Sequence, residues 1–348
     1  MRFNHWLGLI VLLISFYILW QIQQVVLLLF AAVILATALN RIVQRFQQSR
    51  VKRGIAIAIT IIILITVIIS FFALVVPSLV TQLEELINIL PQIPQRLRTW
   101  TDWLQAAIPG SMLKQLEESR GLENLIQQIQ TWISQLLGNF FVLLNNSLGV
   151  VLNTLLFLVL TIMLLANPSQ YRRIFILIFP AFYRRRIDEI LSECETSLVG
   201  WIKGTLITML LVAFLSFVGL SILGVRLPFV NAMLAGLLEF IPNVGPTLSV
   251  ILPTSLALLD APWKAGATIL LYVVIQQVES FILVPIIMKK EANLLPVFTI
   301  LAVVIFASFF GFLGLFLAIP LLIVSQIWLK EILVKDILNK WYPNKTNN

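Results

Sequence analysis

Apolar residues in this chain come in blocks, and the length of each block limits what it can do. Residues 3–20, 22–39, 54–76, 148–166, 205–225 and 265–288 each approach the roughly twenty apolar positions that carry a helix across a bilayer core about 30 Å thick. Two further blocks are too long for one crossing. At ~1.5 Å per residue, 229–259 would form a rod of about 46 Å and 296–328 one of about 50 Å. Both are interrupted near the middle. The first carries Pro242-Asn243-Val244-Gly245-Pro246, where each proline removes an amide hydrogen and collides with the preceding turn, and Gly245 is free to take positive φ. The second carries Gly311 and Gly314 in the run FFGFLG. A helical hairpin that turns back inside the membrane answers both lengths; the other solution is a long, kinked crossing. The pattern predicts an all-α polytopic membrane protein with six transmembrane spans plus two re-entrant helical hairpins, 228–260 and 296–328. Non-helical backbone at that depth needs protein or a water-filled cavity around it, so the hairpin tips are where a site is expected.

The polar stretches divide the chain further. Residues 1–76 form an N-terminal three-span region, the third span ended by Pro77. Residues 77–147 carry six acids against four bases, with Pro91, Pro94 and Pro109 punctuating segments of helical periodicity, and predict amphipathic helices on the outer side. Residues 148–204 hold the fourth span and a helical linker, 205–330 a transport region of span, hairpin, span and hairpin, and 331–348 a tail.

Composition sharpens the class. The chain is 59% hydrophobic and only 11% charged, against about 25% charged in soluble domains. With one histidine, His5, and one cysteine, Cys194, it cannot build a disulfide, a His/Cys metal cluster or a Ser-His or Cys-His catalytic pair, so neither an enzyme nor a cofactor is expected. The net charge of +8 suggests no nucleic acid, because its placement follows the positive-inside rule. Arg41, Arg45, Arg50, Lys52 and Arg53 stand together without an acid; Arg172, Arg173, Arg184, Arg185 and Arg186 form a second group, expected to orient the chain and to touch membrane lipids. Lys289 and Lys290, and the tail with Lys330, Lys335, Lys340 and Lys345, fall on that same side only if both long blocks are hairpins. Both termini are then cytoplasmic. Span plus hairpin, twice, entering from opposite sides, is an inverted repeat of the secondary-transporter kind.

Few polar groups lie within the apolar blocks, and each is a candidate. Glu239 sits three residues before Pro242; Asn243, Gly245, Thr247 and Ser249 follow around the start of the second arm at Pro246, whose free amides suit an anionic or polyhydroxylated ligand. Tyr272, Gln276 and Glu279 share one helical face of the span 265–288. Ser308 is the one hydroxyl of the second tip. A carboxylate in a bilayer is costly and is a functional candidate; it can also be glue between helices. The expected ligand-binding set is Glu239, Asn243, Gly245, Thr247, Gln276, Glu279 and Ser308, with Pro242, Pro246, Gly311 and Gly314 as hinges. There is no GxxxxGK[ST] phosphate loop, so active transport would be ion-driven or would use a separate ATPase.

At LLEFIPNVGP (237–246), QQVESFILVPIIM (276–288) and LLPVFTILAVVIFASFFGFLGLFLAIPL (294–321) the chain resembles the autoinducer-2 exporter family of bacterial inner-membrane permeases, and the stretch from Pro180 through the arginines to Gly200 and Gly204 fits as well. The resemblance runs from about residue 148 to the end. Asn243 stands where the family has an aromatic, Leu295 where many members have histidine, and Thr205 where glutamine is frequent. What the resemblance implies is a secondary transporter exporting a small hydrophilic solute such as autoinducer-2 by an elevator-like alternating-access movement. It also implies a multi-pass protein of the bacterial inner membrane and a homo-oligomer, a pentamer. A sodium or lithium/proton antiporter, with a coupling cation at the glutamates, is the alternative within the family. A passive channel and a non-transporting membrane scaffold are the alternatives outside it.

Overall fold

The computed structural model describes residues 17–18, 20–89, 131, 147–241, 244–283 and 296–338. The first predicted span, most of the outer segment 77–147 and the end of the tail lie outside them. Among the described residues the chain is helical, without a strand. Four helices there are long and apolar enough to cross a membrane, or five if one bent pair counts as a span.

The front of the molecule packs α1 (Gln23–Gln48), α2 (Arg53–Ile89) and α3 (Ser147–Ala166) around Ala36, Leu39, Val43, Ala56, Ile61 and Leu165. Pro77 does not end α2 as the sequence suggests; the helix continues to Ile89. The hydroxyls of Ser78 and Thr81 donate to the carbonyls of Leu74 and Pro77 at 3.3 and 2.6 Å, adding bonds beside the proline's missing donor. Arg53 closes the other end. Its guanidinium donates to the carbonyls of Ala166 at 3.0 Å and Leu165 at 2.7 Å and to Asn40 at 3.2 Å. Those carbonyls are among the four that a helix C-terminus leaves without intrahelical partners. Asn167 leaves the helical region before Pro168, at φ −135 and ψ 62, as the residue preceding a proline is biased to do, and the chain bends by 91° into the short α4 (Pro168–Leu177).

The axis of the rest is α5 (Arg184–Ile222), 39 residues long. Its first half buries Ile187, Ile190, Leu198 and Trp201 against α1 and the last helix. Its second half buries Val212 and Leu220 against α6 (Pro228–Leu238), α7 (Val244–Asp260) and α8 (Pro262–Val278), which continues as a π turn over Glu279–Leu283. The last helix, α9 (Pro296–Trp328), winds on into a π-type stretch, Leu329–Leu338. Outward faces remain apolar: Leu210 is 71% and Ile222 79% exposed, an arrangement suited to lipid rather than to water.

Both long blocks are broken where the sequence places the breaks, and both double back. α6 ends at Leu238; Phe240 and Ile241 bond back to Leu237 and Leu238 in a tighter turn, and α7 starts at Val244. The expected positive φ at Gly245 is not found: Gly245 is helical, and glycine is needed there for room, since a Cβ would land on the carbonyl of Leu238. A straight helix would hold residues seven apart about 10 Å from one another. In α9 the strained residue is Gly311, at φ 63 and ψ −141, and a Cβ on Gly314 would land on the carbonyl of Phe306. Pro242 and Asn243 lie outside the described residues. The two reversals meet through aromatic rings. Phe240 stacks on Phe316, centroids 4.1 Å apart and planes at 19°, and Trp201 packs edge-on to Phe240 at 5.4 Å.

Charges collect at the two ends of the bundle. At one end Arg186 binds Glu331 at 2.6 Å and Asp336 at 3.2 Å, Tyr183 donates to Asp336 at 2.6 Å, and Lys335 binds Glu331 at 2.5 Å. Burial alone would raise the Glu331 carboxyl, but the hydrogen bonds and charges of Lys335 and Arg186 outweigh it and hold the group below the usual carboxylate value. Burial pushes the Tyr183 hydroxyl up to about 12, with the bond to Asp336 adding to the effect. Arg53, through its bonds to the end of α3, belongs to this same face. At the far end of α5, Asp260 pairs with Arg226 at 3.4 Å and Lys264 at 3.6 Å.

Candidate functional site

Beside the first reversal lies a cavity of about 180 Å³. Its polar lining is Glu239, Thr247, Ser249, Tyr272, Gln276 and Glu279, and Val212 of α5 closes one wall. Each side chain is placed by a local backbone event. Glu239 is the residue at which α6 stops, so its side chain leaves the helix at the break and is buried, 6% exposed. Thr247 and Ser249 stand on the first turns of α7, where Ser249 donates to the carbonyl of Pro246 at 2.8 Å. Pro246 costs the helix no bond there, because the first four amides of a helix have no intrahelical acceptor. Tyr272, Gln276 and Glu279 descend one face of α8, and Glu279 sits where the α-helix widens into the π turn, a distortion that often accompanies function.

The electrostatics single out two groups. Every other acid whose side chain is described has a basic partner: Asp188 and Glu195 have Arg172, Glu189 has Arg185 and Arg186, Glu193 has Lys330, Asp260 has Arg226 and Lys264, and Glu331 and Asp336 share Arg186. Among the described residues Glu239 and Glu279 have no basic partner, and their carboxyl groups neighbour each other in the cavity lining. Gln276 adds its amide to Glu279 at 3.2 Å. Ionised carboxylates only accept hydrogen bonds, so two in contact require a proton or a cation between them. The hydroxyls of Tyr272, in the lining, and of Ser216 on α5 are buried without a well-formed hydrogen bond.

Of the residues expected from sequence, the structure brings Glu239, Thr247, Gln276 and Glu279 together, with Gly245 packed directly beneath Glu239 and Pro246 in the lining. Asn243 lies outside the described residues. Ser308 is exposed and does not line the cavity. The tips meet in an aromatic stack, and the cavity lies between the first reversal and α8. Sequence reasoning missed the α5 wall. Val212 stands in the apolar run LLVAFL, where nothing in the pattern marks it.

Comparison with known proteins assigns the chain to a family. The profile of the AI-2E family transporters matches residues 9–334. YueF of Bacillus subtilis (strain 168) is 26% identical over 295 residues, covering 82% of this chain and 78% of its own length. The AI-2 transport protein TqsA of Escherichia coli (strain K12) is 27% identical over 309 residues, covering 86% of this chain and 84% of its own. PerM of Escherichia coli (strain K12) is 23% identical over 335 residues, covering 96% and 92%. Helical throughout its described residues, with helices long and apolar enough to cross a membrane, and matched to one family profile over nearly its whole length, the chain is a multi-pass membrane protein of the AI-2E transporter family.

Proposed function

We propose that this protein is a secondary transporter that moves a small hydrophilic solute by alternating access, with the cavity at the first reversal as its binding site. The observation that carries the reading is the Glu239–Glu279 pair. Two acids without a base, on two different helices, line a cavity at a broken helix, and intramembrane acids of this kind mark solute and ion pathways. Thr247 and Gln276 supply donors and acceptors for hydroxyl groups. Gly245 lets the two arms close on each other, and Pro242, Pro246, Gly311 and Gly314 are the hinges. Asn243 and Ser308 are secondary contacts, reached as the reversals move. Export of autoinducer-2 is the first cargo to test, because the relative TqsA is named for it.

The same reading takes both reversals as re-entrant hairpins among six spans, in a bacterial inner membrane with both termini cytoplasmic. The gathering of Arg53, Arg172, Arg186 and Lys335 at one end of the bundle supports that orientation. The Phe240–Phe316 stack supports an elevator-like movement in which both hairpins travel as one body. A homo-oligomer would supply the fixed frame.

The test is solute flux in proteoliposomes with wild type, Glu279→Gln and Glu239→Gln. Each variant is expected to fold and to lose at least about tenfold in flux, the equivalent of one interaction worth ~1.4 kcal/mol. Normal flux in both variants would remove the cavity from the mechanism. No flux of any solute or cation in wild type would favour the scaffold. The second reading, a sodium or lithium/proton antiporter, is favoured by the same carboxyl pair, since two carboxyl groups in contact can exchange a proton for an alkali cation. It predicts dissipation of a pH gradient on addition of sodium or lithium, lost in Glu239→Gln.

A further inference from the structure

The bend after α3 has a consequence independent of cargo. α3 is a 20-residue apolar helix of spanning length, and α4 leaves it at 91°, so α4 runs along the membrane surface. No residue of α4 is buried. Around it Ile174, Phe175 and Leu177 are exposed, and Ile178 and Phe182 reach 74% and 88%. A helix that lies in the interface places such side chains at the boundary of headgroups and acyl chains.

Between α4 and the start of α5 is an open cavity of about 390 Å³ lined by Arg172, Arg173, Arg184, Arg185 and Asp188, with Ser169 at its edge. The charges in it are not equivalent. Arg172 is spent on the protein: it binds Asp188 at 2.7 Å and Glu195 at 3.2 Å and donates to Ser192 at 2.5 Å. This also neutralises the one carboxylate of the cavity. Arg184 is aimed by backbone carbonyls, those of Phe179 at 3.0 Å and Leu177 at 3.4 Å, and has no acidic partner. Arg185 is 94% exposed and reaches Glu189 only at 3.5 Å, a pairing worth little in water. Arg173 is exposed and makes no ion pair or side-chain hydrogen bond among the described residues. Three guanidinium groups thus surround one concavity with little to neutralise them, at the depth of the lipid phosphates and beside exposed Phe and Ile side chains. Guanidinium forks match phosphate oxygens in pairs.

We propose that the α4–α5 junction is a binding site for the phosphodiester headgroup of an anionic phospholipid, held by Arg173, Arg184 and Arg185, with the acyl chains against Ile178 and Phe182. The apolar rim selects a lipid over a free phosphate ion.

Native mass spectrometry of the full-length protein in mild detergent, offered phosphatidylglycerol and phosphatidylcholine with the same acyl chains, tests the site. Wild type is expected to retain phosphatidylglycerol preferentially, and millimolar inorganic phosphate to leave it in place. Because Arg173 is exposed and makes no ion pair or side-chain hydrogen bond among the described residues, Arg173→Gln should keep the lipid-free melting temperature and reduce the preference about fivefold, the share of one basic residue at an anionic surface. Arg173→Gln/Arg185→Gln should reduce it further. Arg41→Gln/Arg45→Gln, which removes two exposed charges outside the cavity, should leave it unchanged. Three results would each overturn the proposal: an undiminished preference in Arg173→Gln, an equal loss in Arg41→Gln/Arg45→Gln, or displacement of the lipid by inorganic phosphate.

Discussion

Glu331 and Glu239 are both buried acids, and the difference between them is company. Glu331, 2% exposed, has Arg186 and Lys335; Glu239 has Glu279. The first arrangement is a clamp between the start of α5 and the stretch after α9, since Arg186 also holds Asp336. Because the Glu331 carboxyl is held below its unfolded value, it contributes stability at pH above the ordinary carboxylate pKa of about 4.3, and that contribution is lost as the pH falls through the lowered folded value. Glu331→Gln should therefore cost about 1–3 kcal/mol at pH 7, the worth of a hydrogen-bonded charged group, discounted because Lys335 is half exposed. Melting curves of both proteins against pH check it: the gap should close in acid, and a gap independent of pH would dismiss the charge explanation. None of this was legible in the sequence. Glu331 stands 145 residues from Arg186, and only the fold makes them neighbours.

At the scale of elements, the two reversals were legible because proline and glycine act locally. Excess length and a break in the middle are visible in the residues themselves, and the structure breaks both blocks there. The roles of individual glycines were less so. Gly245 is required for space and Gly311 for conformation, two demands that look identical in a sequence. They can be told apart. Gly311→Ala meets open space but forces a side chain into the mirror image of the polyproline region, a strain of about 1–3 kcal/mol. Gly245→Ala puts a methyl into backbone and should cost more, with the arms of the first reversal prised apart. Thermal unfolding should show Gly311→Ala as the milder variant, and cavity function should fall with Gly245→Ala even where protein is recovered. Pro77 shows the limit of such reading: the same residue type that marks a break at one place is absorbed within α2 by nearby hydroxyls.

For the whole molecule, the proposed topology assigns a side of the membrane to each charged end. Single cysteines at Lys264 and Lys330, in a Cys194→Ser background, report it with a membrane-impermeant maleimide. The proposed topology expects 264 to label from outside and 330 not to, because they lie at the two opposite charged ends. Equal labelling would refute the orientation drawn from the basic residues. The candidate site was only partly readable. Its glutamates and Thr247 announced themselves as polar letters in apolar text, whereas the wall from α5 is made by Val212, which no pattern distinguishes from its neighbours.

Arg53 carries a last implication, for synthesis. Its guanidinium rests on the carbonyl of Ala166, 113 residues further along the chain. While the ribosome works through that interval, the arginine at the joint of the newly inserted α1 and α2 has Asn40 as an acceptor but still lacks the two carbonyls at the end of α3. The front of the protein therefore cannot seal as each helix emerges. It stays ajar until α3 arrives, and a nascent chain halted before residue 147 should remain a client of the insertion machinery rather than a finished subdomain.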